Sequence, residues 1–281
     1  MLRTRPSVLL PAAALVAAAA AAAPADAAVV CPPGTTNPAY CQVVPDQPPA
    51  PPTSRDVPLP PTGGTTTVTA AVPTTVTVPA GSTQTLVIAG GTAPVTITGA
   101  TAKLDVTQTG SAPVTVRFTD LGGSTLKLGD GDNTVAIGGG TAGGTSRVTF
   151  GDGDNDFRVT YGAASRAAHA KKAKYTAYVV RAGKGADMLR AGRGADRLYG
   201  GGGNDKLWGG AGRSSLYGEA GNDRLYAGTA PTAMNGGKGD DRFSARNGQV
   251  DRIVGGGGKK DVATVDRRDK VSGVRTVKRG R

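Results

Sequence analysis

Between residues 182 and 244 an apolar residue returns every ninth position without a miss. The seven consecutive units read AGKGADMLR, AGRGADRLY, GGGGNDKLW, GGAGRSSLY, GEAGNDRLY, AGTAPTAMN and GGKGDDRFS. Their eighth position is Leu189, Leu198, Leu207, Leu216, Leu225, Met234 and Phe243. With 38% hydrophobic residues in the chain, chance would give that run about once in a thousand trials. The sixth position is Asp in five of the seven units: Asp187, Asp196, Asp205, Asp223 and Asp241. A fixed phase of this kind separates the segment from a flexible Gly-rich linker.

Composition narrows the architecture further. Gly and Pro together make 63 of 281 residues, and aromatic residues only 4%. A chain so poor in large side chains cannot fill a thick core, and such a Gly and Pro content points to disorder or to a repeat architecture. A thin solenoid needs only one inward apolar residue per short repeat. The expected fold is therefore all-β.

The units resemble the nonapeptide of the repeats-in-toxin (RTX, hemolysin-type) family, G-G-x-G-x-D-x-U-x, in which U is apolar and the turn binds calcium. The resemblance is strong over residues 182–244 and weaker in two earlier turns, Gly129-Asp130-Gly131-Asp132-Asn133 and Gly151-Asp152-Gly153-Asp154-Asn155. It implies that six residues of each unit form a turn and three a strand. It further implies that two units complete one coil of a right-handed parallel β-roll, and that calcium lies between turns stacked on one side. The metal ligands it implies are Asp187, Asp205, Asp223, Asp241 and Asp196, with the turn glycines Gly183, Gly185, Gly201, Gly203, Gly221, Gly237 and Gly239.

The chemistry suits those residue types. Glycine tolerates positive φ, so the chain can reverse tightly and aim carbonyls inward. Calcium is a hard cation that takes six to eight oxygens from carboxylates and carbonyls. If two units make a coil, turns on one side are 18 residues apart. One side then carries Asp187, Asp205, Asp223 and Asp241 unbroken. The other carries Asp196, Ser214 and Thr232. Calcium is expected on the first side, in three sites between successive aspartates, with at most weak ions near Asp196. Stacked coils lie about 4.8 Å apart. Two carboxylates at that distance repel by roughly 3 kcal/mol at an effective dielectric near 20, so folding should require the ion. Beyond Ser244 the period lengthens to ten, giving Asp251 and Asp261; Lys259 in place of a turn glycine argues against Asp261 extending the column. At position 9, Tyr199 should stack on Tyr217 and Trp208 on Tyr226, as sheet support or as a platform for sugar rings.

The rest of the chain divides by composition. Residues 1–27 read as a signal peptide: Arg3 and Arg5, the apolar run Ser7–Ala23, then the cleavage site Ala25-Asp26-Ala27. Residues 28–62 hold Cys31 and Cys41, expected to pair as a disulfide outside the cell, and a Pro-rich spacer from Pro45 to Pro61. Residues 63–161 alternate short β-branched runs with turns, as in Val95-Thr96-Ile97-Thr98 and Val114-Thr115-Val116. Their spacing, near ten residues but irregular, fits a sandwich or a β-helix. The two early Gly-Asp turns favour one continuous solenoid. Residues 162–181 are a basic interruption with the sole histidine, His169, which has no partner at metal spacing. Residues 182–258 are the β-roll, and 259–281 a cap and basic tail with nine Lys or Arg against three Asp.

The absences matter for function. One histidine cannot supply H-E-x-x-H, and no G-x-S-x-G or Walker A sequence occurs. No run of about 20 apolar residues follows the leader, so no transmembrane span is expected. The reading is a secreted, extracellular, non-enzymatic calcium-binding protein with a structural or adhesive surface role. The formal charge of +12 points to anionic cell-wall or extracellular polysaccharide as a further partner, with no specific nucleic acid expected. The rival reading is a polysaccharide-cleaving β-helix that uses carboxylates such as Asp105, Asp120, Asp130, Asp132, Asp152 and Asp154. Another is a basic module whose binding depends on residues 259–281.

Overall fold

The computed structural model describes residues 54–61, 63–139, 143–160 and 175–280, together with the short strands Val29–Val30 and Gln42–Val43. Those two strands pair antiparallel within a unit that spans residues 1–53. The leader, Cys31, Cys41 and the basic stretch with His169 lie outside the described residues.

From Ser54 onward the chain is a parallel β-solenoid of about ten turns. Its strands fall into two sheets of 11 and 12 strands, and consecutive strands alternate between them. Each coil therefore lays one strand on each sheet. Every ladder within these sheets is parallel, so the described strands between residues 63 and 160 form coils of the same solenoid and not an antiparallel sandwich.

The core is two facing columns. One runs through Val76, Ile97, Val116, Val135, Phe157, Leu189, Leu207, Leu225, Phe243 and Ala263. The other runs through Leu86, Val106, Leu126, Val148, Val180, Leu198, Leu216, Met234 and Ile253. All are buried. Strand alternation explains this: position 8 faces in, while positions 7 and 9 face out. Within the nonapeptide segment Leu189 pairs with Leu207 and Leu198 with Leu216, so two units do make one coil. Each buried Leu adds about 1.5–3 kcal/mol, a modest core per coil.

The solenoid is longer than the sequence pattern suggested. Arg55–Pro58, at the end of the expected Pro-rich spacer, is a strand paired with Thr74–Thr77. Pro58 is tolerated because this is the terminal strand of its sheet, where a missing N–H breaks no ladder on the open side. Ala177–Arg181 is a strand inside the segment read as an interruption. The ladder passes from Asp156–Arg158 straight to Met188–Arg190, so 32 residues separate Asn155 from its stacked partner Asp187 without loss of register. At the C-terminus, Val262–Val265, Lys270–Ser272 and Thr276–Arg279 add further strands. Much of the basic tail is thus solenoid.

Candidate metal centre

Along one edge, the residue before each of seven successive strands of the 12-stranded sheet forms a vertical column: Asn133, Asn155, Asp187, Asp205, Asp223, Asp241 and Asp261. Each is at most 2% exposed. The Oδ1 of each accepts a backbone N–H from the coil before it. Asp205 Oδ1 accepts from Asp187, Asp223 Oδ1 from Asp205, Asp241 Oδ1 from Asp223 and Asp261 Oδ1 from Asp241, all at 2.8 Å. Asn133 and Asn155 do the same toward Val114 and Asn133, at 2.9 and 3.1 Å. A short side chain at this phase is needed because the turn leaves that N–H facing inward with no backbone acceptor.

The second terminal atom separates Asn from Asp. Asn133 Nδ2 donates to the carbonyls of Gly129 and Gly131 at 2.8 and 2.6 Å. Asn155 Nδ2 donates to the Gly153 carbonyl at 2.7 Å and to Asp187 Oδ1 at 2.9 Å. The turn interior is thus lined with oxygens, and an amide satisfies them. A carboxylate in the same place has no proton to give. The Oδ2 atoms of Asp187, Asp205, Asp223, Asp241 and Asp261 are buried and unpartnered. Buried polar atoms are almost always satisfied, so a row of five orphans on one edge calls for a positive partner.

Glycine is required beside these oxygens. A Cβ placed on Gly200 would lie 2.3 Å from Asp205 Oδ2 and 2.8 Å from the Gly218 carbonyl oxygen. The same construction on Gly218 meets Asp223 Oδ2 at 2.1 Å and the Gly236 carbonyl at 2.5 Å. On Gly236 it meets Asp241 Oδ2 at 2.0 Å and the Gly255 carbonyl at 2.7 Å. Carboxylate and carbonyl oxygens of successive coils therefore converge where only glycine leaves space. This oxygen-only donor set fits calcium. Among the described residues no three His, Cys, Asp or Glu side chains gather at metal distance, so backbone carbonyls must supply most of any coordination.

Electrostatics agree with that geometry. Burial is the leading cause that pushes the Asp187 and Asp223 carboxyls up to about 6, and those of Asp205 and Asp241 up to about 7. Backbone N–H bonds pull each back. The charges of Asp223, Asp187 and Glu219 push Asp205 up further.

The opposite edge is satisfied differently. Asp196 Oδ1 accepts from the Tyr178 N–H at 2.8 Å and its Oδ2 from the Gly192 N–H at 2.5 Å, which leaves no orphan. Ser214 Oγ donates to the Gly209 carbonyl at 2.6 Å and Thr232 Oγ1 to that of Ala230 at 2.9 Å. Only farther along does a carboxylate oxygen stand unpartnered there, Asp251 Oδ2.

The glycines picked from sequence also shape the turns. Gly201, Gly203, Gly221, Gly237 and Gly239 have φ between 99° and 134°. They and Gly183 and Gly185 pack backbone on backbone: a Cβ on Gly203 would overlap the Gly185 carbonyl, and one on Gly183 that of Gly151. The carbonyls of the position-1 residues Gly218, Gly236 and Gly255 lie near the same turns and are further candidates. Sequence reasoning did not pick these carbonyls, and it argued against Asp261, which does stand in the column behind Asp241. The fixed phase of position 1, Gly in four of seven units, was the available signal.

Other predicted features have plain places. Asp130 and Asp132 accept the N–H groups of Asp152 and Asp154 on the exposed side of the turns. Asp152 and Asp154 accept those of Lys184 and Ala186. Asp105 and Asp120 lie on different sheets. Tyr199 stacks on Tyr217 at 4.7 Å and 7°, and Trp208 on Tyr226 at 5.2 Å and 8°. Arg181 caps the first stack 4.0 Å from the Tyr199 ring, and Arg190 the second 4.3 Å from Trp208.

A family model described as the RTX calcium-binding nonapeptide repeat (4 copies) matches residues 181–214 and 199–229. No curated protein and no solved structure matches the chain. The matched repeat is a calcium-binding module, and it covers the stretch in which Asp187, Asp205 and Asp223 line one edge. Residues 181–229 are thus a run of RTX calcium-binding nonapeptide repeats, carried on a parallel β-solenoid that continues beyond them at both ends.

Proposed function

We propose that this is a secreted calcium-binding protein whose solenoid becomes fully ordered only when calcium occupies the aspartate edge, and that its role outside the cell is structural or adhesive and not catalytic. The observation that carries the reading is the contrast within one column. Where the side chain is Asn, its amide satisfies the turn carbonyls; where it is Asp, the second carboxylate oxygen is buried without a hydrogen-bond partner. The residues that would hold the ion are Asp187, Asp205, Asp223, Asp241 and Asp261, with the carbonyls of Gly218, Gly236 and Gly255. Asp196 has both oxygens engaged and is at most a weak contributor. Bound calcium supplies the counter-charge and gathers oxygens from successive coils. The chain's own part is to present those oxygens at a spacing fixed by the strands.

A calcium-bound edge suits the exterior, where loose protein sites bind with dissociation constants of about 0.1–1 mM. The test is circular dichroism and thermal melting of residues 28–281 in chelator and in millimolar calcium. Strand signal and melting temperature should both rise with calcium. A chain equally ordered in chelator, with no bound ion by elemental analysis, would refute the reading.

A further inference from the structure

The outer face of the 12-stranded sheet carries a straight row of cations. Lys206, Arg224 and Arg242 are register partners on three neighbouring strands, and all three are exposed. Arg190 adds a charge on the preceding strand, one column over, opposite Trp208. None of the four has an acidic partner among the described residues, whose only ion pairs are Arg158–Asp156 and Lys184–Asp152. Like charges directly opposite on paired strands are destabilising, so the row works against the fold unless something anionic lies along it. A groove lined by Asn204, Asp205, Asn222, Lys206, Arg224 and Arg242 joins this row to the aspartate edge, with Asp205 its one acidic residue.

We propose that this face docks an acidic polysaccharide, with its carboxylates on Lys206, Arg224 and Arg242. Two observations choose that polymer. The strands stack about 4.8 Å apart, so the three cations form an evenly spaced ladder that suits an extended polymer with a carboxylate on every sugar. Single-stranded nucleic acid needs open aromatic faces on which bases stack. Here Trp208 and Tyr226 cover one another, and Arg190 covers the other face of Trp208. The row also lies beside the calcium edge, so occupied sites there would remove negative charge next to the polymer. The inference deepens the surface role proposed above by naming its partner, and it needs only the folded face.

The experiment titrates residues 28–281 with a β-1,4-linked mannuronate hexamer at fixed calcium, with circular dichroism on the same samples. The triple variant Lys206→Gln, Arg224→Gln, Arg242→Gln should bind about tenfold more weakly, the size expected for three exposed ion pairs. A control removes equal charge from the other sheet: Arg147→Gln, Arg197→Gln, Arg252→Gln. Uncharged residues interrupt that column, namely Val179, Ser215 and Ala233. The control should bind nearly as wild type. Equal losses in the two variants, no binding by folded wild type, or tighter binding of a thymidylate hexamer would overturn the proposal. If the solenoid proves ordered in chelator and still binds the hexamer, the calcium reading falls and this one stands.

Discussion

The backbone N–H of Asp187 donates to Asp205 Oδ1 at 2.8 Å, while Asp205 Oδ2 stays buried without a partner. One oxygen of the carboxylate is structural and the other is spare. Asparagine at the same phase uses the first atom identically and makes the second a donor, as Asn133 and Asn155 do. Asp205→Asn should therefore stabilise the calcium-free protein by about 1–2 kcal/mol, the cost of an unsatisfied buried group. It should also raise the calcium midpoint several-fold. Asp205→Ala should raise the midpoint too, and more than Asp196→Ala, whose oxygens are already engaged. Urea melts with and without calcium read all three. Equal shifts at Asp205 and Asp196 would overturn the one-edge assignment.

Acidity should act in the opposite sense to the usual carboxylate case. The folded values of Asp187 and Asp223 are pushed up to about 6, and those of Asp205 and Asp241 up to about 7, above the unfolded value near 3.9. Their protonated forms favour the fold, so the stabilisation is complete below about pH 4 and is lost as pH rises through 6 to 7. In chelator the melting temperature should fall between pH 5 and pH 8. In saturating calcium it should not, and the calcium midpoint should tighten over the same range as protons leave. A chelated protein that melts higher at pH 8 than at pH 5 would contradict this.

How much of this was readable beforehand depends on where a coil's length varies. In the nonapeptide segment each coil has 18 residues, so the phases of Leu189 and Asp187 betrayed both the core and the column. In the first half the strands were legible as β-branched runs, but their partners were not. Val116 pairs with Val135, Val135 with Phe157 and Phe157 with Leu189, at three different separations absorbed in the turns. Strand pairing fixes only the strands; a turn can take in residues without moving the ladder. Asn133 and Asn155 were noticed as Gly-Asp turns, yet their role as donors depends on which carbonyls face inward. That is a property of stacked turns and leaves no trace in spacing.

Asp261 shows the same principle at the other end. The ten-residue unit holds one extra turn residue, and the N–H groups of both Lys259 and Lys260 donate to Asp240 Oδ1. Lys259 is thereby carried to the exposed side, and Asp261 returns to the column behind Asp241. The column then has four gaps, between Asp187, Asp205, Asp223, Asp241 and Asp261 in turn. Calorimetry should find about four strong calcium ions per chain, one for each gap between carboxylates, and about one fewer in Asp261→Ala. An unchanged count in that variant would confine the sites to the nonapeptides.

Glu219 is the one described non-glycine residue with positive φ, 76°. It stands at position 2 of its unit, in register with Gly201 and Gly237, whose φ values are 99° and 107°. A left-handed conformation costs an L-residue about 1–2 kcal/mol. Glycine escapes that cost but has more unfolded-state freedom, worth about 0.4–1 kcal/mol, so a net gain remains. The Glu219 charge also adds to the burden on Asp205. Glu219→Gly should raise stability in calcium by up to about 1 kcal/mol, while Glu219→Ala keeps the strained backbone and should not. Both variants remove the same charge, so the difference between them isolates the backbone term. If the two melt alike, the turn has relaxed around residue 219 and the left-handed geometry carries no cost.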